Sequence, residues 1–194
     1  MLRLKMATDP KWANVAEDNL EEILIDHAYC EQKAASSAIS LIVQFPEYDD
    51  IVFAMSEIAI EEMEHFKAVH KIIIDRGFIF GSERKDYYVN NLSKYFPQTH
   101  DRKVRLIYKL LFSAMIEARS CERFHLLSTT ITDLELSKFY HDLEISEAKH
   151  YTVFLNFAKK YGRNLVDVDK LWEEFLAFEG KLIQNYGREE FILG

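Results

Sequence analysis

From Gln98 to Tyr161 the chain runs for 64 residues without a glycine or a proline. Sandwiches and barrels need Gly and Pro at frequent turns, so this stretch excludes them and points to helix. One helix of that length would extend about 96 Å, too long for a domain of this size, so a turn is hidden inside the stretch. The β-branched run Thr129, Thr130, Ile131, Thr132, followed by Asp133, Leu134 and Glu135, supplies it, and Thr132 with Glu135 fits the capping box S/T-x-x-E. The scarcity holds throughout, with 6 Gly and 3 Pro among 194 residues, where average usage gives roughly 23.

The few breakers then read as helix boundaries. Asp9 before Pro10 suits an N-cap with proline at the first helical position, and Pro46 closes that segment. Asp49 is the expected cap of the next helix, which runs to Arg76 and stops at Gly77. Residues 78 to 97 read as a connection with a short helix near Arg84 to Tyr95. Lys159, Lys160 and Gly162 end another helix, and a fifth amphipathic segment runs from about Asn164 to Tyr186. The expected architecture is all-α: two helical hairpins, about 10–45 with 49–76 and about 99–128 with 133–161, forming a four-helix bundle with an additional C-terminal helix. Residues 1–194 are expected to form a single domain.

At 48% hydrophobic residues, the chain is too apolar to be disordered. Its net charge of −8 does not attract nucleic acid, so a polyanion partner needs a local basic patch. No signal peptide and no apolar run long enough to span a membrane is visible, which makes a soluble, cytoplasmic protein without a membrane partner the expectation. Cys30 and Cys121 are too few for a disulfide framework and fit no zinc-ribbon spacing.

Helical periodicity places acids where leucines belong. The first stripe reads Leu20, Leu24, His27, Glu31, Ala34, Ala38, Leu41, Phe45. The second reads Val52, Met55, Ala59, Glu62, His65 or Phe66, Val69, Ile73. The third reads Ile107, Leu110, Ala114, Glu117, Cys121, Phe124, and the fourth Leu136, Tyr140, Leu143, Glu147, His150, Phe154, Phe157, Tyr161. Four inward glutamates repel or protonate unless a cation compensates them. One Glu on each of two helices and Glu-x-x-His on each of the other two is the ligand pattern of a di-iron or di-manganese carboxylate site. The expected ligands are Glu31, Glu62, His65, Glu117, Glu147 and His150.

Glu-x-x-His alone is weak, because 20 Glu and 7 His in 194 residues give about 0.7 by chance and three are present. Hairpin register discriminates, since residues that meet across an antiparallel pair lie equally far from its turn. Glu31 and Glu62 are 31 residues apart about Pro46, and Glu117 and Glu147 are 30 apart about Thr132. The pairs also repeat: Glu62 and Glu147 stand 85 residues apart, as do His65 and His150, while Glu31 and Glu117 stand 86 apart. Glu122, of the third motif Glu122-x-x-His125, has no acidic counterpart and reads as a solvated or outer partner of neighbours such as Arg119. His27, one turn before Glu31, reads as an outer partner of the site or as a hydrogen-bonded core histidine. The ligand set by itself leaves iron and manganese, and oxygenation, peroxide reduction and iron storage, all open.

The blocks Asp26-His-Ala-Tyr-Cys-Glu31-Gln-Lys-Ala-Ala35-Ser, Glu61-Glu62-Met-Glu-His65-Phe, Glu117-Ala-Arg-Ser-Cys-Glu-Arg-Phe124 and Glu147-Ala-Lys-His150-Tyr together resemble the MiaE family of tRNA 2-methylthio-N6-isopentenyladenosine hydroxylases. The resemblance spans roughly Leu20 to Tyr161. It implies a ferritin-like fold and a non-haem di-iron monooxygenase that uses two iron ions and O2 to hydroxylate the isopentenyl group at tRNA position 37. It also implies the same six ligands, a tRNA substrate, and electrons from a separate reductase or ferredoxin. Arg102, Lys103, Arg105 and Lys109 form a basic stripe suited to tRNA contact, with Arg84 and Lys85 preceding the region; a solvated helix face is the bland alternative. A rubrerythrin- or ferritin-like iron oxidase or peroxidase is the competing reading, sharing the metal site but not these blocks.

Overall fold

The computed structural model describes residues 2–83 and 87–186. Among them are seven helices and no strand: α1 Lys11–Asp18, α2 Leu20–Gln44, α3 Asp49–Asp75, α4 Tyr87–Leu92, α5 Arg102–Thr130, α6 Leu134–Gly162 and α7 Val168–Tyr186. No helix among the described residues is long and apolar enough to cross a membrane. The described chain divides into two compact units, residues 15–83 and residues 2–14 with 87–186.

In the unit of residues 15–83, α2 and α3 pack as an antiparallel hairpin about the turn at Pro46. Leu24, His27, Ala28, Glu31, Ala35, Ala38 and Leu41 form the buried stripe of α2, with Ala35 buried rather than the expected Ala34. The helix expected over 10–45 is broken at Asn19 (φ −122°, ψ 41°), where the Asn19 side-chain amide donates to the Val15 carbonyl at 2.8 Å and satisfies the end of α1. Asn competes for backbone groups in this way and so favours helix ends over interiors. Asp49 is not the cap of α3. Tyr48 holds that position, without a side-chain cap bond, while Asp49 and Asp50 occupy the first turn, where carboxylates complement the positive helix end. At the other end Gly77 takes φ +74°, and the N–H groups of Gly77 and Phe78 donate to Ile74 and Ile73 carbonyls at 2.9 and 3.0 Å. This crossed pair needs the left-handed backbone that glycine adopts without strain. The segment beyond returns along α2, held by Tyr29 Oη donating to the Gly81 carbonyl at 2.8 Å and by a Lys33–Glu83 ion pair at 2.8 Å.

In the other unit, α5 and α6 form the second antiparallel hairpin. The turn lies where the β-branched run placed it, but its cap is Asp133 rather than Thr132: the Asp133 carboxylate accepts from the Glu135 and Leu136 N–H groups at 3.0 and 3.1 Å. A carboxylate one residue later reaches the two open donors and displaces the threonine hydroxyl from that role. Asp101 caps α5 in the same way. α6 ends at Gly162, beside the start of α7: a Cβ on Gly162 would lie 2.3 Å from Val168 Cγ2. α7 begins at Val168, four residues after the expected Asn164, with Asp167 accepting from the Lys170 N–H at 3.0 Å. Its Trp172, Phe175 and Leu176 are fully buried, and the rings of Tyr95 and Phe96 lie 4.7 Å from that of Phe175. The short helix expected near Arg84 to Tyr95 is α4, Tyr87–Leu92; Arg84 and Lys85 lie outside the described residues.

Candidate metal centre

Within the unit of residues 15–83, Glu31 on α2 and Glu62 and His65 on α3 bring one ligand atom each within 4.8 Å of one another. Glu31 and Glu62 are 4% and 1% exposed, and His65 is half-buried. His65 Nδ1 stands 3.6 Å from Glu31 Oε2 and 3.4 Å from Glu62 Oε2. His27, buried one turn before Glu31 on α2, places Nε2 2.6 Å from Glu31 Oε1.

Two carboxylates at this depth oppose their own desolvation. Burial pushes the Glu31 carboxyl up, but hydrogen bonds from His27 and His65 outweigh it and hold Glu31 well below the usual carboxylate range. Burial pushes the His65 imidazole down, yet Glu31 and then Glu62 reverse this and raise it to about 10. The protein without metal therefore keeps a proton on His65 as the cation between the two acids.

Within the other unit, Glu117 on α5 and Glu147 and His150 on α6 likewise bring one ligand atom each within 4.8 Å. These three are 3–4% exposed. The donor chemistry of both trios fits a metal: two buried carboxylates and one imidazole, half-buried at His65 and buried at His150, without thiolate. That set suits iron or manganese better than a soft ion.

Glu122 and His125 turn to different partners. Glu122 accepts from Thr8 N and Oγ1 at 2.8 and 2.6 Å and pairs with Arg119 Nη1 at 2.9 Å. His125 is exposed, with Nδ1 3.1 Å from Glu144 Oε1.

Reasoning from the sequence missed Glu179. This α7 residue is 0% exposed, and its two oxygens accept from Arg119 Nε and Nη2 at 2.8 and 3.0 Å, while Tyr88 Oη donates to it at 3.1 Å. Arg119 also donates through Nη2 to the Met6 carbonyl at 2.9 Å, so the guanidinium ties the N-terminal segment to α5 and α7. The signal was present in the stripe Trp172, Phe175, Leu176, Glu179, Ile183, which carries an acid at an apolar position as the other helices do. Of the basic stripe, Arg102, Lys103 and Arg105 are exposed and Lys109 is half-buried.

Residues 2–192 match the profile of the tRNA-(MS[2]IO[6]A)-hydroxylase (MiaE) family. The chain belongs to this family. It is 38% identical over 182 residues to the tRNA 2-(methylsulfanyl)-N(6)-isopentenyladenosine(37) hydroxylase of Pseudomonas putida, covering 94% of this chain and 87% of that one. With the enzyme of the same name from Salmonella typhimurium it shares 28% identity over 235 residues, covering 96% and 85%. A solved structure, protein 43 with aldehyde deformylating oxygenase activity from Synechococcus, matches at TM-score 0.82 with 29% identity, covering 98% of this chain and 91% of that one. The all-helical, ferritin-like class expected from the punctuation and the MiaE resemblance is the one found.

Proposed function

We propose that this MiaE-family chain hydroxylates the isopentenyl group of 2-methylthio-N6-isopentenyladenosine at position 37 of tRNA, with two irons held by Glu31, Glu62, His65, Glu117, Glu147 and His150. The observation that carries the reading is the occurrence, in a chain matched by the MiaE profile over residues 2–192, of two buried carboxylates and an imidazole brought together in each unit. On this reading residues 1–194 act as a single ferritin-like domain.

Bound iron would supply the activation of dioxygen that attack on a carbon–hydrogen bond of the prenyl group requires. The chain's own part is to hold and to exclude. His27 fixes the orientation of Glu31, as an outer hydrogen-bond partner does for a ligating group. Along the α5 and α6 stripes, buried Ala114, Phe124, Leu143 and Phe154 stand above and below the second trio, and such apolar walls suit a prenyl group and keep water away. Inserting one oxygen atom from dioxygen and reducing the other to water takes two electrons and two protons. On this reading the electrons come from a separate reductase or ferredoxin. A tRNA substrate places the reaction in the cytoplasm.

The test is incubation of the iron-loaded protein with prenylated, methylthiolated tRNA, reductant and dioxygen, followed by digestion and mass spectrometry. The modified nucleoside is expected to gain one oxygen atom. Recovery of unchanged nucleoside, together with iron uptake into a multimeric shell, would favour the ferritin-like alternative.

A further inference from the structure

The first turn of α5 carries charge of the wrong sense for a helix start. It holds basic residues and no acid, although the N-terminal end of a helix is partially positive and favours carboxylates. Arg102, Lys103 and Arg105 are exposed there, and half-buried Lys109 follows on the side of Arg102 and Arg105. Asp101 precedes them and caps the Lys103 and Val104 N–H groups.

The hairpin brings the end of α6 beside this turn: a Cβ on Gly162 would stand 3.7 Å from Ile107 Cδ1. That end adds exposed Lys160 and Arg163. Basic residues closing α6 complement its dipole and have a local reason to be there. Those opening α5 work against the helix they sit on, and an external polyanion would offset that cost. Lys160 Nζ lies 5.2 Å from the half-buried Tyr161 ring, which sets an aromatic side chain beside the charges, the combination that single-stranded nucleic acid binds.

We propose that Arg102, Lys103, Arg105, Lys109, Lys160 and Arg163 form a docking surface for the backbone phosphates of the substrate RNA. The inference rests on the tRNA hydroxylase reading. Along α5, Glu117 lies 8 residues beyond Lys109 and 12 beyond Arg105, about 12 and 18 Å of helix. The surface therefore holds nucleotides flanking the modified adenosine rather than the adenosine itself.

The test compares the iron-loaded wild type with the triple variant Arg105→Gln/Lys160→Gln/Arg163→Gln, measuring affinity for prenylated tRNA across a salt series and steady-state hydroxylation. Affinity is expected to fall at least about ten-fold, and the slope of log K against log salt to shrink by about 0.7–0.9 for each phosphate no longer neutralised. KM for tRNA should rise while kcat at saturating tRNA and iron content stay unchanged. The pair Lys67→Gln/Lys71→Gln on α3 serves as control and should leave the slope unaltered. An unchanged slope and affinity in the triple variant, beside a wild type that hydroxylates tRNA, overturns the surface and leaves the reading standing; an equal loss in the control pair overturns it as well. A wild type that neither binds nor hydroxylates the tRNA overturns the reading, and the surface with it.

Discussion

His27 and Glu31 are joined across one turn of α2, Nε2 to Oε1 at 2.6 Å, with both side chains buried. The pairing commits one carboxylate oxygen to an imidazole and leaves the other beside His65. On the proposed ligand set, removing His27 therefore loosens Glu31 without deleting it. We expect His27→Ala to weaken iron binding by roughly 10–100-fold, the usual effect of losing an outer partner, and His27→Gln to recover part of it. Iron titration of the two variants checks this, and equal affinity in wild type and His27→Ala would refute it.

Glu117 and Glu122 stand five residues apart on α5 with opposite duties. Glu117→Ala should lower iron content, because it removes a carboxylate from the buried trio. Glu122→Ala should keep its iron but lose about 1–3 kcal/mol of stability, since Thr8 and Arg119 forfeit their acceptor. At this chain length each kcal/mol corresponds to about 2–4 °C in Tm. Metal analysis and a thermal melt separate the two, and the reverse order of iron loss would overturn the ligand assignment.

His65 makes the metal-free protein pH-dependent in a definite direction. Its folded pKa, raised to about 10 by Glu31 and Glu62 against the effect of burial, lies above the ordinary value near 6.5. The stability it contributes is fully present below about pH 6.5 and is lost as pH rises toward 10. Glu31, held low, contributes in the opposite sense: its share is present above the ordinary carboxylate pKa and is lost on acidification. Iron held at His65, as proposed, would take the proton's place, so thermal melts from pH 7 to 10 should decline for the metal-free protein and stay flatter for the loaded one. Parallel profiles would refute this.

Arg119 and Glu179 form a buried ion pair in which breaking one side strands the other. Arg119→Met should cost about 3–5 kcal/mol by leaving Glu179 without its cation, whereas Arg119→Met/Glu179→Met should recover most of that loss. Urea denaturation of the single and double variants measures the difference. A double variant no more stable than the single one would show that the pair's partners, not the stranded charge, set the cost.

The hairpins were legible because their turns carry chemical punctuation and their stripes follow helical periodicity. Equal distance from a turn grouped Glu31 with Glu62 and Glu117 with Glu147, and the ligand atoms of each pair lie within 4.8 Å. Cap positions differ by one residue: Tyr48, without a side-chain cap bond, stands before Asp49, and the Asp133 carboxylate accepts from the open N–H groups that Thr132 is expected to cap. The break at Asn19 left no mark in the periodicity, since the apolar residues of α1 and α2 run on across it. Glu179 was the largest omission. An acid on an apolar stripe reads as a metal ligand on four helices, but on α7 its partner is an arginine 60 residues away, a pairing only tertiary structure reveals.

The internal repeat also has an uneven side. Eighty-six residues separate Glu31 from Glu117, and the same step carries His27 to Ser113, which is buried as well. One half of the duplicated pattern thus has an imidazole backing its carboxylate where the other has a small hydroxyl. Two ions held by such halves would be inequivalent, differing in ligand basicity and in how readily each is lost or reduced. A chain that looks twofold in its spacing is, in its chemistry, a pair of unlike hands.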